Sequence, residues 1–231
     1  TSVATLVAVF AFGYRPIEAG DVSLHPDLTI RTWQSENEWT EVRSRADALL
    51  GWSNRPNVTS HQINRDFTVS YGIDANGWRR MPTTVAPPPA PEVWFLGCSF
   101  TFGTGVEDTE AYPYRLAEHA WPSFQVRNYS TSGWGTVQAY LTLKRQLESS
   151  AVAPRVVVYG WINNHRQRNY LRRSWFEKNR AANFARFDVV DGQLHSKGVV
   201  PASEANLEDG PELDEAEYRV TEALIRAMAA L

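Results

Sequence analysis

Glu92-Val93-Trp94-Phe95-Leu96-Gly97-Cys98-Ser99-Phe100-Thr101-Phe102-Gly103 is the stretch on which the reading of this chain turns. Val93 to Leu96 is a continuous apolar run without polar alternation, the pattern of a strand buried on both faces. It stops at Gly97, and a serine follows two residues later, where a strand hands over to a helix. Two further runs have the same form. Phe124 to Asn128 leads into Asn128-Tyr129-Ser130-Thr131-Ser132-Gly133, and Arg155 to Gly160 leads into Gly160-Trp161-Ile162-Asn163-Asn164-His165. Between them lie two helical stretches. One falls near 111–120, with Pro113 tolerated in its first turn. The other is striped by Val137, Tyr140, Leu141 and Leu147. Apolar strands alternating with amphipathic helices predict an α/β fold: a flavodoxin-like, three-layer αβα arrangement around a parallel sheet.

Upstream, Pro87-Pro88-Pro89-Ala90-Pro91 is stiff and extended and marks the boundary of this domain. Residues 36–50 predict a helix, because Trp39, Val42, Ala46 and Leu49 recur at spacings of three and four. Residues 51–85 read as irregular and β-rich, with Phe67, Val69 and Tyr71 alternating and Asp74-Ala75-Asn76-Gly77 as a turn. The chain opens on an uncharged run from Thr1 to Tyr14. As a helix this run would span about 21 Å, short of the ~30 Å hydrocarbon core of a membrane. It is expected to be part of a membrane anchor or signal segment, with a buried helix or strand as the alternative. The expected organisation is therefore 1–14 anchor or signal, 15–91 a small N-terminal β-rich module with linker, and 92–231 the α/β domain.

Within that domain, residues 185–197 predict an inserted hairpin around Asp191-Gly192. Residues 213–231 predict an amphipathic helix with Ala216, Val220, Ala223, Leu224, Ala227, Met228 and Leu231 on one face. The βα rhythm calls for another strand after it. The sheet is thus expected to be incomplete at the C-terminus, and the natural protein is expected to continue beyond Leu231.

Composition narrows the function classes. The chain has 231 residues, 43% hydrophobic, with a formal net charge of -3. That supports a real core and gives no basis for nucleic-acid binding. A basic cluster near 166–173 (Arg166, Arg168, Arg172, Arg173) reads first as a solvated helix face and second as a contact for an anionic glycan or phospholipid. A single cysteine excludes an intramolecular disulfide framework and a multi-cysteine metal site. Nine tryptophans suit core packing, or alternatively a sugar-facing surface.

Reactive groups of an open parallel sheet collect at the carboxyl ends of its strands, and all three polar blocks sit there. A serine at a tight strand-to-helix turn can present its Oγ to a carbonyl carbon. Attack on an ester builds negative charge on the carbonyl oxygen, and fixed N–H donors aimed at that point lower the barrier. The backbone N–H of Ser99, the backbone N–H of Gly133 and the side-chain amide of Asn164 are three candidate donors. No metal or cofactor is required.

Gly97-Cys98-Ser99, the following Phe-Thr-Phe-Gly-Thr-Gly-Val, Asn128 to Gly133, and Gly160 to His165 together resemble the blocks of the SGNH/GDSL hydrolase superfamily, over about Val93 to Asn169. Tyr71 to Arg79 resembles a small β module that precedes the catalytic domain in anchored members. The resemblance implies Ser99 as nucleophile and Gly133 and Asn164 as oxyanion donors. Cys98 stands where the family has Asp, at a structural position, and His165 stands where Asp is common. His165 would position the loop or contact substrate. The family's fourth block, Asp-x-x-His with the general base, is absent from these residues, which alone are therefore expected to be inactive. Asp191-Gly192-Gln193-Leu194-His195 comes nearest but is longer by one and lies in the hairpin.

What the resemblance implies is a serine esterase that removes O-acyl groups, with an acylated small molecule or glycan as substrate and a membrane-anchored place in the cell envelope. Two alternatives remain. One is an O-acyltransferase using the same site. The other is a non-catalytic carbohydrate-binding or assembly module.

Overall fold

The computed structural model describes residues 6–12, 38–39, 43–63, 67–81, 90–120, 122–172, 183–204 and 211–231. Most of the proline-rich linker and Arg173 of the basic cluster lie outside these residues. The central sheet has four parallel strands: β1 (Leu6–Phe12), β7 (Glu92–Gly97), β8 (Gln125–Asn128) and β9 (Val156–Ile162), in the order β1-β9-β7-β8. The three strands that carry the polar blocks run second, first, third across the sheet, which is the doubly wound order of flavodoxin-like folds. The fold is α/β with helices on the sheet, as its apolar strands require.

The side chains of β7 show why both faces must be covered. Trp94 and Leu96, with Val157 and Tyr159 of β9, pack on one face against Ala139 and Leu143 of α3 (Thr136–Ser149) and Met228 of α5 (Pro211–Ala229). Val93, Phe95 and Val158 point the other way, onto Ala117 of α2 (Tyr112–Ala120). Trp94 and Trp134 are fully buried, and Trp78 nearly so, in the first of these clusters. These three tryptophans serve the core.

The uncharged N-terminal run, expected as part of an anchor or signal segment, here contributes β1. This strand pairs along the free side of β9 from Leu6↔Val156 to Phe12↔Ile162. It forms the edge of the sheet beyond β9. Among the described residues no helix is long and apolar enough to cross a membrane.

Among the described residues of 36–50 the expected helix is not formed. Glu38–Trp39 is β2, Ser44–Asp47 is β3, and β3 pairs antiparallel with β4 (Gly51–Asn54). Asp47 decides the local structure. Its Oδ1 accepts from the backbone N–H groups of Leu49 (2.9 Å) and Leu50 (3.0 Å), closing a turn that a helix would have to unmake. The β-rich reading of residues 51–85 holds where they are described: β5 (Thr59–Ile63) lies between β2 and β6 (Thr68–Gly72) in a three-stranded antiparallel sheet. β10 (Asn183–Val190) and β11 (Gln193–Pro201) form an antiparallel hairpin turning at Asp191-Gly192, both with positive φ (49° and 75°). Ala185 and Phe187 of the hairpin pack with Val137, Val220 and Leu224, so it covers α3 and α5 rather than hanging free.

Candidate active site

Ser99 is half-buried at the first residue of α1 (Ser99–Phe102), directly after β7. The turn is closed by Phe102 N–H donating to the Cys98 carbonyl (2.8 Å) and by Gly103 and Thr104 N–H donating to the Ser99 carbonyl (3.0 and 2.9 Å). Cys98 is fully buried, with its Sγ 4.0 Å from Ser99 Oγ. A thiol enclosed in this way does not meet a substrate, so the adjoining serine is the group that reaches the surface. Phe100, next to it, is 60% exposed.

Close packing beneath α1 explains two glycines. Thr101 Oγ1 lies where a Cβ on either Gly97 or Gly160 would be, and these two residues face each other in the β7–β9 register. The helix carrying Ser99 therefore rests directly on the sheet backbone. Thr101 Oγ1 also accepts from Tyr112 Oη (3.0 Å), and burial pushes the Tyr112 phenol up to about 12. Asn128, at the end of β8, donates from Nδ2 to the Thr101 carbonyl (3.0 Å) and accepts at Oδ1 from Ser130 N–H (3.2 Å) and Ser130 Oγ.

The second block leaves β8 alongside the nucleophile turn. Tyr129 N–H donates to the Phe95 carbonyl (2.8 Å) and Thr131 N–H to the Gly97 carbonyl (3.4 Å). Ser132 Oγ and Thr104 Oγ1 are 2.9 Å apart, which joins the loop after α1 to the residue before Gly133. Gly133 has φ 86°, a left-handed conformation that suits glycine, and is half-buried.

The third block ends β9 at Ile162. Asn163 comes next, and Asn164 opens α4 (Asn164–Tyr170); both asparagines are exposed. Two residues of α4 tie it to the second block. Arg168 Nη1 donates to the Trp134 carbonyl (2.7 Å), beside Gly133. Asn169 Oδ1 accepts from Thr136 N–H (2.7 Å) and Val137 N–H (3.3 Å), the first donors of α3. The residue before that helix is Gly135, which has no side chain to cap it. Asn169 Nδ2 donates to Thr136 Oγ1 and Thr221 Oγ1, both at 2.8 Å. Ser99, Gly133 and Asn164 thus emerge from three adjacent strand ends joined by direct hydrogen bonds.

His165 does not stand open to substrate. It is fully buried, stacked on Tyr159, with Nδ1 2.7 Å from Tyr159 Oη, which in turn donates to Thr136 Oγ1 (2.8 Å). Burial, with Arg168 nearby, holds the imidazole well below its ordinary 6.5, so it is neutral. His195 is exposed on β11, paired across the hairpin with Asp188. The basic cluster is not simply solvated. Arg166 lies over the Tyr218 ring (4.0 Å), and Arg172 pairs with buried Glu217 of α5. Among the described residues no three of His, Cys, Asp and Glu converge as a metal site.

The residue least visible in the sequence is Arg79. Its side chain is completely buried and clamps the far end of the nucleophile turn. Nη1 donates to the Phe102 and Gly103 carbonyls (both 3.1 Å), Nη2 to the Val106 carbonyl (3.0 Å), and Nε pairs with Asp108 (2.6 Å). Desolvation outweighs the pair's attraction: burial lowers the arginine and raises the carboxyl. From the same module, Arg43 Nη2 donates to Ser132 Oγ (2.9 Å) and Trp52 Nε1 to the Ser132 carbonyl (3.2 Å).

The site so defined is a serine at a strand-to-helix turn of a doubly wound α/β sheet, flanked by a glycine loop and an asparagine helix start. No protein-family profile matches the chain, and no curated protein matches it. Among solved structures, one titled "Crystal Structure of TesA" is similar at TM-score 0.29 and 18% identity, over 60% of this chain and 74% of that one.

Proposed function

We propose that this chain is a serine acyl-ester hydrolase of the SGNH/GDSL kind, with Ser99 as nucleophile. The observation that carries the reading is the convergence of Ser99, Gly133 and Asn164 on three adjacent strand ends, bound together through Thr104–Ser132 and Arg168–Trp134. Ser99 Oγ attacks the ester carbonyl carbon. The developing oxyanion accepts from the Ser99 and Gly133 backbone N–H groups and from Asn164 Nδ2. Collapse expels the alcohol, which takes up the serine proton, and water then releases the acid from the acyl-enzyme. Phe100 offers apolar surface beside the nucleophile for the acyl group. An O-acylated glycan or a comparable acylated small molecule is the proposed substrate. Transfer to a sugar hydroxyl in place of water is the variant of the same chemistry.

A fluorophosphonate probe applied to the full-length protein tests this. Covalent modification at Ser99 is expected, absent in Ser99→Ala and slowed about 10²-fold in Asn164→Ala, the typical loss for one oxyanion donor. A folded protein that stays unlabelled under prolonged exposure would sink the hydrolase and favour a binding module.

A further inference from the structure

A cleft of about 910 Å³, separate from the Ser99 turn, opens between the N-terminal module and the β8 edge of the sheet. Its lining includes Arg45, Trp78, Arg127, Tyr129 and Arg145. That volume falls within the range of small-molecule sites. Tyr129 is part of that lining. The residue is only 6% exposed, and its ring is fixed edge-on between Trp78 (4.9 Å) and Trp94 (5.3 Å). Yet among the described residues its hydroxyl has no hydrogen-bond partner. That hydroxyl is not enclosed, and it offers one donor and one acceptor to an occupant of the cleft. The charges acting on this hydroxyl are Glu92, Arg127 and Asp74.

The balance of donors and acceptors defines what would fit. Five arginines and three acids line the cleft; Arg79 is spent on Asp108 and three carbonyls, which leaves four arginines against three acids in a chain whose formal net charge is -3. The acids are already engaged. Asp74 Oδ1 accepts from Asn76 and Trp78 N–H (2.8 and 2.9 Å). Glu92 accepts from Trp94 Nε1 (2.6 Å) and Arg127 Nη2 (2.9 Å). Asp47 holds the 49–50 turn and faces Arg145 at 3.5 Å. The donors are not exhausted. Arg45 uses only Nε, on Ser53 Oγ (3.2 Å), and has no acidic partner among the described residues. A guanidinium carries five N–H donors, and those lining a cleft attract anions more strongly than isolated surface charges do.

We propose that this cleft binds an anionic, hydroxyl-bearing ligand of monosaccharide size, its carboxylate or phosphate held by Arg45 and its neighbouring arginines and a hydroxyl meeting Tyr129 Oη. The proposal is independent of the Ser99 chemistry. Isothermal calorimetry on the full chain, with intrinsic tryptophan fluorescence reporting Trp78, tests it using D-glucuronate, glucose 6-phosphate, inorganic phosphate and neutral glucose. Glucuronate or glucose 6-phosphate should bind at least about tenfold tighter than glucose, and the tighter of the two names the anionic group. Tyr129→Phe keeps the ring and should weaken binding about fivefold, the worth of one hydrogen bond, with its unfolding midpoint unchanged. Arg45→Gln, on an exposed strand position, should weaken it further and serves if Tyr129→Phe fails to fold. Equal binding of glucose, binding of inorganic phosphate alone, unaltered affinity in both variants, or no binding at millimolar ligand would each overturn it.

Discussion

Asn169→Ala is the most informative single substitution, because one side chain holds the start of α3 against α4. Its Oδ1 satisfies two backbone donors of a helix whose preceding residue is glycine, and its Nδ2 serves two buried threonine hydroxyls. Loss of a helix cap costs about 1 kcal/mol, within a range of roughly 0.5–2. Thr136 Oγ1 keeps the Tyr159 hydroxyl, but the Thr136 and Val137 N–H groups lose their Asn169 acceptor in a dry interior. A buried polar group left unpaired costs about 1–3 kcal/mol. Both figures describe the same lost acceptor, so the expected cost is about 1–3 kcal/mol, a substantial part of the roughly 5–15 kcal/mol that holds a typical domain. Urea unfolding of the parent and variant reads it directly. Asn169→Asp keeps the acceptor and places negative charge at a helix start, where it is favoured, so it should lose less than the alanine variant. A loss below about 0.5 kcal/mol in Asn169→Ala would refute the argument. So would an aspartate variant weaker than the alanine one.

Packing, charge and protonation elsewhere in the site give three further expectations. Gly160→Ala drives a Cβ into Thr101 Oγ1 and to 2.8 Å from Tyr112 Oη. The overpacking should cost about 1–3 kcal/mol and slow labelling of Ser99, with partial recovery on adding Thr101→Ala; no recovery would exclude Thr101 as the obstacle. Arg79→Met strips the donors from three carbonyls and leaves the Asp108 carboxylate with the Gly72 N–H but without its buried guanidinium. A loss of about 3–5 kcal/mol in urea unfolding is expected, as for other broken buried pairs; a change under about 1 kcal/mol would show that the clamp is dispensable. His165 makes stability depend on pH. Its folded-state value lies below the ordinary 6.5, so below that pH the unfolded chain takes up a proton that the native state refuses. Stability is therefore full above about pH 6.5 and falls as pH drops toward the folded value, by up to ~1.4 kcal/mol per pH unit. His165→Gln should flatten that slope between pH 7 and 5, and parallel profiles would contradict it.

The sheet was legible from residues 92–160 because its signal is local: three apolar runs, each ended by a polar block. The α3 stripe and the Asp191-Gly192 turn were legible for the same reason. The spacing of Trp39, Val42, Ala46 and Leu49 misled, since helical periodicity over so few positions yields to one aspartate whose carboxylate binds its own downstream backbone. Ser99, Gly133 and Asn164 could be chosen from strand ends, but His165 could not be assigned. Whether a histidine after a strand faces solvent or the interior depends on α4 packing over Tyr159, a contact no spacing encodes. Arg79 and Asn169 were missed outright. Each acts on backbone groups more than twenty residues away, and nothing in a linear pattern marks a side chain for that work.

Arg79, Arg43 and Trp52 belong by sequence to the segment before the proline-rich stretch, yet their donors end on the turn after Ser99 and on Ser132. For protein engineering this makes the proline boundary a misleading place to cut. A cassette of residues 92–231 moved onto another N-terminal segment would lose β1 from the edge of the sheet and leave the Phe102, Gly103 and Val106 carbonyls facing whatever surface replaced the arginine. Grafts that keep β1 and residues 43–81 with the rest of the sheet should preserve the geometry around Ser99, and chimeras joined at the linker should be less stable, with a misaligned nucleophile.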